Sequence, residues 1–176
     1  YYSIATDEYI LAVGFLKLYC FYNCFAYVYK KGKGIIFNKS IESVGAKKAI
    51  YVGDNYDFSI DWHNRSRSNL FRVNKSEDGF VRFEFAFDNH IKGWAVAKIP
   101  ADYERLIVCN PASLKRWTFT EKMYAIPVEE ANLILDNKTI IKTEDNPLMS
   151  SDWSAGYDRK QTTWLWWAGQ GIVKGH

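Results

Sequence analysis

The chain has 176 residues, 48 % hydrophobic, 24 % charged and 17 % aromatic, with a formal net charge of +3. That length supports one domain with a sizeable core, and the composition is globular rather than disordered. Basic and acidic residues nearly balance, which argues against a nucleic-acid partner, and three cysteines are too few and too odd for a disulfide scaffold.

The first element is the apolar tract from Tyr9 to Tyr29, the one stretch long enough to cross a bilayer. Its period is two: Tyr9, Phe15, Tyr19, Phe21, Phe25, Tyr27 and Tyr29 all fall on odd positions, and Lys17 at mid-span would be costly in lipid. The tract therefore predicts two strands, or one sharply bent, with the break near Cys20 to Asn23 and no transmembrane segment. Both faces are apolar, so both are covered or one lines a cavity. On an extended strand Cys20 and Cys24 stand roughly 13 Å apart, beyond disulfide reach, and read as small buried residues. Lys30-Lys31-Gly32-Lys33 reads as a solvated turn, with Gly32 to Gly34 as a hairpin loop.

Tyr56 to Trp62 predicts a short strand running into the cluster Asp61-Trp62-His63-Asn64-Arg65. Asp61 and His63 fall on one side of that strand, where a carboxylate beside a His can orient a base or a ligand contact. A polar turn is the plainer reading.

Leu70 to Lys75 and Phe80 to Asp88 flank Ser76-Glu77-Asp78-Gly79, a hairpin loop in which Asp-Gly supplies positive φ. Val81, Phe83, Phe85 and Phe87 share one face and Arg82, Glu84 and Asp88 the other, the pattern of a half-buried edge of a sheet. Trp94 to Ile99 is a further strand ended by Pro100, and Tyr103 to Val108 fits a strand or a single helical turn. From Trp117 the alternation runs to Glu121-Lys122, then slips to Tyr124, Ile126 and Val128, which predicts a bulge or short turn. Leu133 to Leu135 and Thr139 to Ile141 pair around Asp136-Asn137-Lys138. Asn146 to Lys160 reads as a long loop and Trp164 to Val173 as a final strand bent at Gly169 and Gly171. Many short strands and no long helix predict an all-β barrel or sandwich.

The densest chemistry lies between Ser150 and Gly171. Asp152, or Asp158, suits a general acid if an apolar wall raises its pKa. Tyr157 and the Trp rings suit a cationic intermediate, and Trp153, Arg159, Trp164 and Trp166 suit a pocket mouth. The structural alternative is an Asp–Arg latch between strands with Trp side chains in a core. No CxxC, His cluster, P-loop, dinucleotide fingerprint or nucleophile elbow is present, so no metal and no cofactor is expected.

Three segments together carry a resemblance: YYSIATDEYILAVGFLKL at the start, RWTFTEKMYAIPVEEA in the middle and DWSAGYDRKQTTWLWWAGQG near the end. In this order they resemble the family called domain of unknown function 2804, over nearly the whole chain. The family's final motif falls on Asp152, Trp153, Gly156, Thr163, Trp164, Trp166, Gly169 and Gly171, and its middle motif on Thr120, Lys122, Pro127 and Val128. Glu130 departs from the pattern, where the family tends to have Gly. The family extends beyond both ends of this sequence, so the resemblance implies that residues 1–176 are a single β-rich domain fragment truncated at both ends, spanning the junction of two barrel halves. The final motif is also similar to that of carotenoid hydratase-like and tocopherol cyclase-like proteins, which implies an incomplete antiparallel lipocalin-like (calycin-like) barrel.

Two functions follow as expectations. One is the binding of a hydrophobic, isoprenoid- or lipid-like small molecule. The other is a hydratase- or cyclase-type enzyme in which Asp152 protonates a double bond and aromatic faces hold the cation. A cytoplasmic protein is expected, and the sequence names no protein partner.

Overall fold

Alternation in the first apolar tract is realised as a pair of ten-residue strands. The computed structural model describes residues 1–18, 21–44, 49–53, 58–64 and 66–157. In it β1 (Tyr2–Ala5), β2 (Tyr9–Leu18), β3 (Phe21–Lys30) and β4 (Gly34–Val44) form an antiparallel meander. The register Leu18↔Phe21 sets odd residues of β2 opposite even residues of β3. The odd-numbered aromatics therefore divide between two faces. Phe15 points inward with Tyr22 and Cys24, while Phe25, Tyr27 and Tyr29 lie on the outer side. The Lys-Gly turn is a hairpin loop as expected, with Gly32 and Gly34 both at positive φ.

A second meander follows: β5 (Ala49–Gly53), β6 (Phe58–His63), β7 (Leu70–Lys75), β8 (Phe80–Phe87) and β9 (Ile91–Lys98). Gly79, at φ +89°, closes the β7–β8 hairpin, and Asp88 and Asn89, both at positive φ, close β8–β9. Val81, Phe83, Phe85 and Phe87 are all buried on one face, as their spacing demands. The expectation that β8 forms an edge is corrected: it pairs with β7 on one side and β9 on the other.

The third part is built on one 20-residue strand, β11 (Arg116–Leu135), with β10 (Leu106–Ser113), β12 (Lys138–Lys142) and β13 (Leu148–Gly156). The first half of β11 lies between β10 and β13, and its second half between β9 and β12. The predicted phase slip is a bulge between Met123 and Ile126, with Ala125 at φ +55°. The Tyr103 hydroxyl fastens it, donating to the Tyr124 carbonyl at 2.6 Å and accepting from the Tyr124 N–H at 2.6 Å. One side chain thus supplies partners for both polar groups of a residue that the ladder skips.

The sheet runs β4-β3-β2-β1-β13-β11-β9-β8-β7-β6-β5. It is a strongly curled antiparallel half-barrel, consistent with an incomplete lipocalin-like barrel. Curling brings the two meanders face to face around one core. Tyr2 stacks on Phe83 at 5.5 Å, Phe15 stacks on Phe71 at 6.2 Å, and Phe15 reaches Trp62 at 6.4 Å. At the rim Lys39 of β4 pairs with Asp88 at 2.6 Å.

Further readings are corrected. Asn146 to Lys160 is not a long loop, since Leu148–Gly156 is β13, an interior strand between β1 and β11. Its polar residues are tolerated because ladders on both sides satisfy the backbone while Ser and Asp side chains find cross-strand partners. Within Tyr103 to Val108 the strand begins only at Leu106; of the expected strand Tyr56 to Trp62 the residues from Phe58 on form β6, and Tyr56 and Asp57 lie outside the described residues. The expected strand Trp164 to Val173 lies outside the described residues. Among the described residues no helix is long and apolar enough to cross a membrane.

Candidate functional site

Where β1, β2 and β13 face β6 and β7, the half-barrel holds a cavity of about 250 Å³. Its apolar wall is Tyr2, Phe15, Phe58, Ile60, Phe71 and Trp153. Each comes from the inward phase of its strand. Tyr2 and Phe15 follow the face of Ile4, Leu11 and Val13, and Phe58 and Ile60 precede buried Trp62 by steps of two. Trp153 follows Met149 and Ser151 into the interior and meets Phe119 edge-on at 5.8 Å. Lys17, two residues beyond Phe15 on the same phase, stands exposed in the cavity wall with no ion-pair partner among the described residues.

Beside this apolar space lies a buried ion cluster that the sequence reading missed. Glu121 accepts from Lys75 Nζ at 3.0 Å on Oε1 and from Arg105 Nη1 at 3.1 Å on Oε2. The Glu121 and Lys75 side chains are only 1 % and 3 % exposed, and a carboxylate so deep persists only because cations and hydrogen bonds replace water. Lys75 also sits 5.9 Å from the centroid of Phe58, which lines the cavity. Glu121 is register-paired with Trp153, so ion cluster and indole share one row of the inner face. A signal was available: Lys75 continues the apolar phase of Phe71 and Val73, and Glu121 that of Phe119 and Met123. Two opposite charges at inward phases announce a buried pair.

Asp152 is placed differently. It is register-paired with Lys122, on the strand phase opposite to Trp153, and its carboxylate accepts from Lys122 Nζ and from Ser154 Oγ at 3.3 Å. Its backbone belongs to the sheet, the N–H donating to the Tyr1 carbonyl at 3.0 Å. Burial, then Asp152, then Tyr124 and Tyr27 raise the Tyr1 phenol above its ordinary value. Asp152 also contributes to the cavity wall, beside Tyr1.

The remaining expected site residues are scattered. Tyr157 lies beyond Gly156, half exposed, with the Arg116 guanidinium 5.2 Å from its ring centroid. Five residues of strand place it roughly 16 Å from Asp152. Asp61 and His63 do share a face, but it is the outer one, because Trp62 between them is buried. Asp61 pairs with Arg72 at 3.3 Å, and His63 Nδ1 faces the Asn64 carbonyl at 3.0 Å. Asp158, Arg159, Trp164 and Trp166 lie outside the described residues. A larger groove of about 760 Å³, between the β1–β2 turn and the Thr143–Asp145 turn, is polar and carries Asp7, Glu8, Glu144 and Asp145. Among the described residues no group of three His, Cys, Asp or Glu side chains is arranged to hold a metal.

The chain belongs to the family described as Domain of unknown function (DUF2804), whose model matches residues 1–176. No curated protein and no solved structure matches it.

Proposed function

We propose that this half-barrel holds a hydrophobic small molecule, isoprenoid- or lipid-like, in the cavity between its two meanders. The observation that supports this most directly is the lining: six aromatic residues, with Ile60, border an opening of about 250 Å³. That is close to the lower end of small-molecule sites, roughly 300 Å³, and such sites are mostly apolar with few polar groups. Flat rings offer large apolar area at little conformational cost. The cytoplasm is the proposed compartment, in keeping with Cys24 and Cys109, both free thiols.

The test is uptake of the neutral fluorophore N-phenylnaphthylamine by the purified chain, followed by its emission. Ile60→Trp fills the cavity from a partly exposed position and is expected to remove uptake while leaving the far-ultraviolet circular dichroism intact. Equal uptake by that variant, or none by the native chain, would sink the proposal.

A second reading is catalysis by Asp152, and the observation favouring it is that Asp152 contributes to the same cavity wall. In it, Asp152 protonates an alkene of the bound molecule and Trp153, Tyr157 and the later Trp residues stabilise the cation. Native mass spectrometry separates the two readings. A molecule converted by the native chain but not by Asp152→Asn supports catalysis, and one retained unchanged by both supports binding.

A further inference from the structure

We infer that the ligand of this cavity is an amphipathic acid, whose anionic end meets Lys17 and whose hydrocarbon runs along Phe71, Phe58 and Ile60. This rests on the binding reading above and adds the chemistry of the polar end. Two charged side chains belong to the cavity wall, Lys17 and Asp152. Asp152 is engaged by Lys122, whereas Lys17 forms no ion pair among the described residues. The charge left for a ligand at the mouth is therefore positive, and it complements an anion.

The Trp62 indole N–H is buried without an acceptor among the described residues, but its ring, 6.4 Å from that of Phe15, is not part of the cavity lining. The case for an anion therefore stands on Lys17, whose ammonium only donates. A neutral hydrocarbon would leave that ammonium as it is, whereas a carboxylate provides it with acceptors.

The experiment compares dodecanoate with methyl dodecanoate, of the same chain length and without the charge, as competitors of N-phenylnaphthylamine. Dodecanoate is expected to displace the dye at about tenfold lower concentration, the effect of one charge-assisted hydrogen bond. Lys17→Gln, at an exposed position, is expected to bring the two competitors together when each is measured against the variant's own dye affinity. Equal competition by acid and ester on the native chain would overturn the acid assignment and leave the apolar cavity standing. A dodecanoate preference that survives in Lys17→Gln would overturn it as well. Failure of the dye itself to bind would remove the binding reading and this inference with it.

Discussion

The β7–β9 meander and the β11 seam are held together by different means. In the meander, apolar alternation runs on with Lys75 at the end of β7 as its charged exception: Phe71 and Val73, then Val81, Phe83, Phe85 and Phe87, then Ile91, Ala95 and Ala97 fill one face. Two-residue spacing and Gly or Asx turns specify that region completely, and any apolar side chain of similar volume would serve. Along β11 the regular pattern fails repeatedly, among other places at Glu121 inside, at the bulge of Tyr124 and Ala125, at a further register shift between Val128 and Glu130, and at the close approach of Gly156 to Trp117. There the fold depends on particular atoms meeting particular partners. Apolar packing holds the first region together, and polar complementarity tells the second where to bend.

The contrast is sharpest in how damage is repaired. Phe85→Ala should lower stability by about 3–5 kcal/mol through a core cavity. Glu121→Ala should cost a similar amount, about 3–5 kcal/mol, because buried Lys75 loses its counter-charge. Adding Lys75→Met to Glu121→Leu should restore most of the second loss in chemical denaturation, whereas no partner change repairs the first. If the double variant is as unstable as Glu121→Ala, the ion cluster is not the seam's organising contact. Next in size is Gly156→Ala. Its Cβ would come within 2.2 Å of the Trp117 carbonyl oxygen, at a φ of +131°, so a loss of about 2–3 kcal/mol in the denaturation midpoint is expected. An alanine tolerated there would mean that β13 can shift against β11 without cost. Tyr103→Phe removes the shared hydroxyl at the bulge and should cost about 1–2 kcal/mol, with amide exchange at Tyr124 rising most.

The smallest effect concerns the rim. Hydrogen bonds from Lys39, then Asn69, hold the Asp88 carboxyl below its ordinary value. A lowered carboxyl stabilises the fold above the usual carboxylate range, and that contribution disappears as pH falls through the lowered value. Asp88→Asn should therefore melt slightly below the native chain at neutral pH, and the gap should close below about pH 4, which gives the variant the shallower acid limb. Identical acid limbs would show that the Lys39–Asp88 contact does not fasten the two meanders.

Legibility in the sequence followed the same division. The meander could be read because period two and Asp78-Gly79 are local signals, as Asp136-Asn137 is for the β11–β12 turn. So was the slip after Lys122, since losing phase leaves a mark in the pattern itself. The faces of the first tract were harder, because which side an odd residue occupies on β3 depends on a turn of particular length. β13 was hidden by its composition: Ser150, Ser151, Asp152 and Ser154 look like loop until β1 and β11 are known to flank them. The cavity was foreshadowed only through Trp153, while Phe15, Phe58 and Phe71 meet by curling of the sheet, a long-range event with no short-range trace.

The placement of β13 between β1 and β11 has a consequence for the order of assembly. Both β2–β4 and β6–β9 can zip as neighbouring hairpins as soon as each is synthesised, for their partners are adjacent in sequence. Residues 2–5 can pair with β2 at once, but their other edge has to wait, because Tyr2 pairs with the distant Ser151. The two ribbons therefore lack their β1–β13–β11 join until residues 148–156 leave the ribosome, and that threading step, rich in distant contacts, is where folding should be slowest.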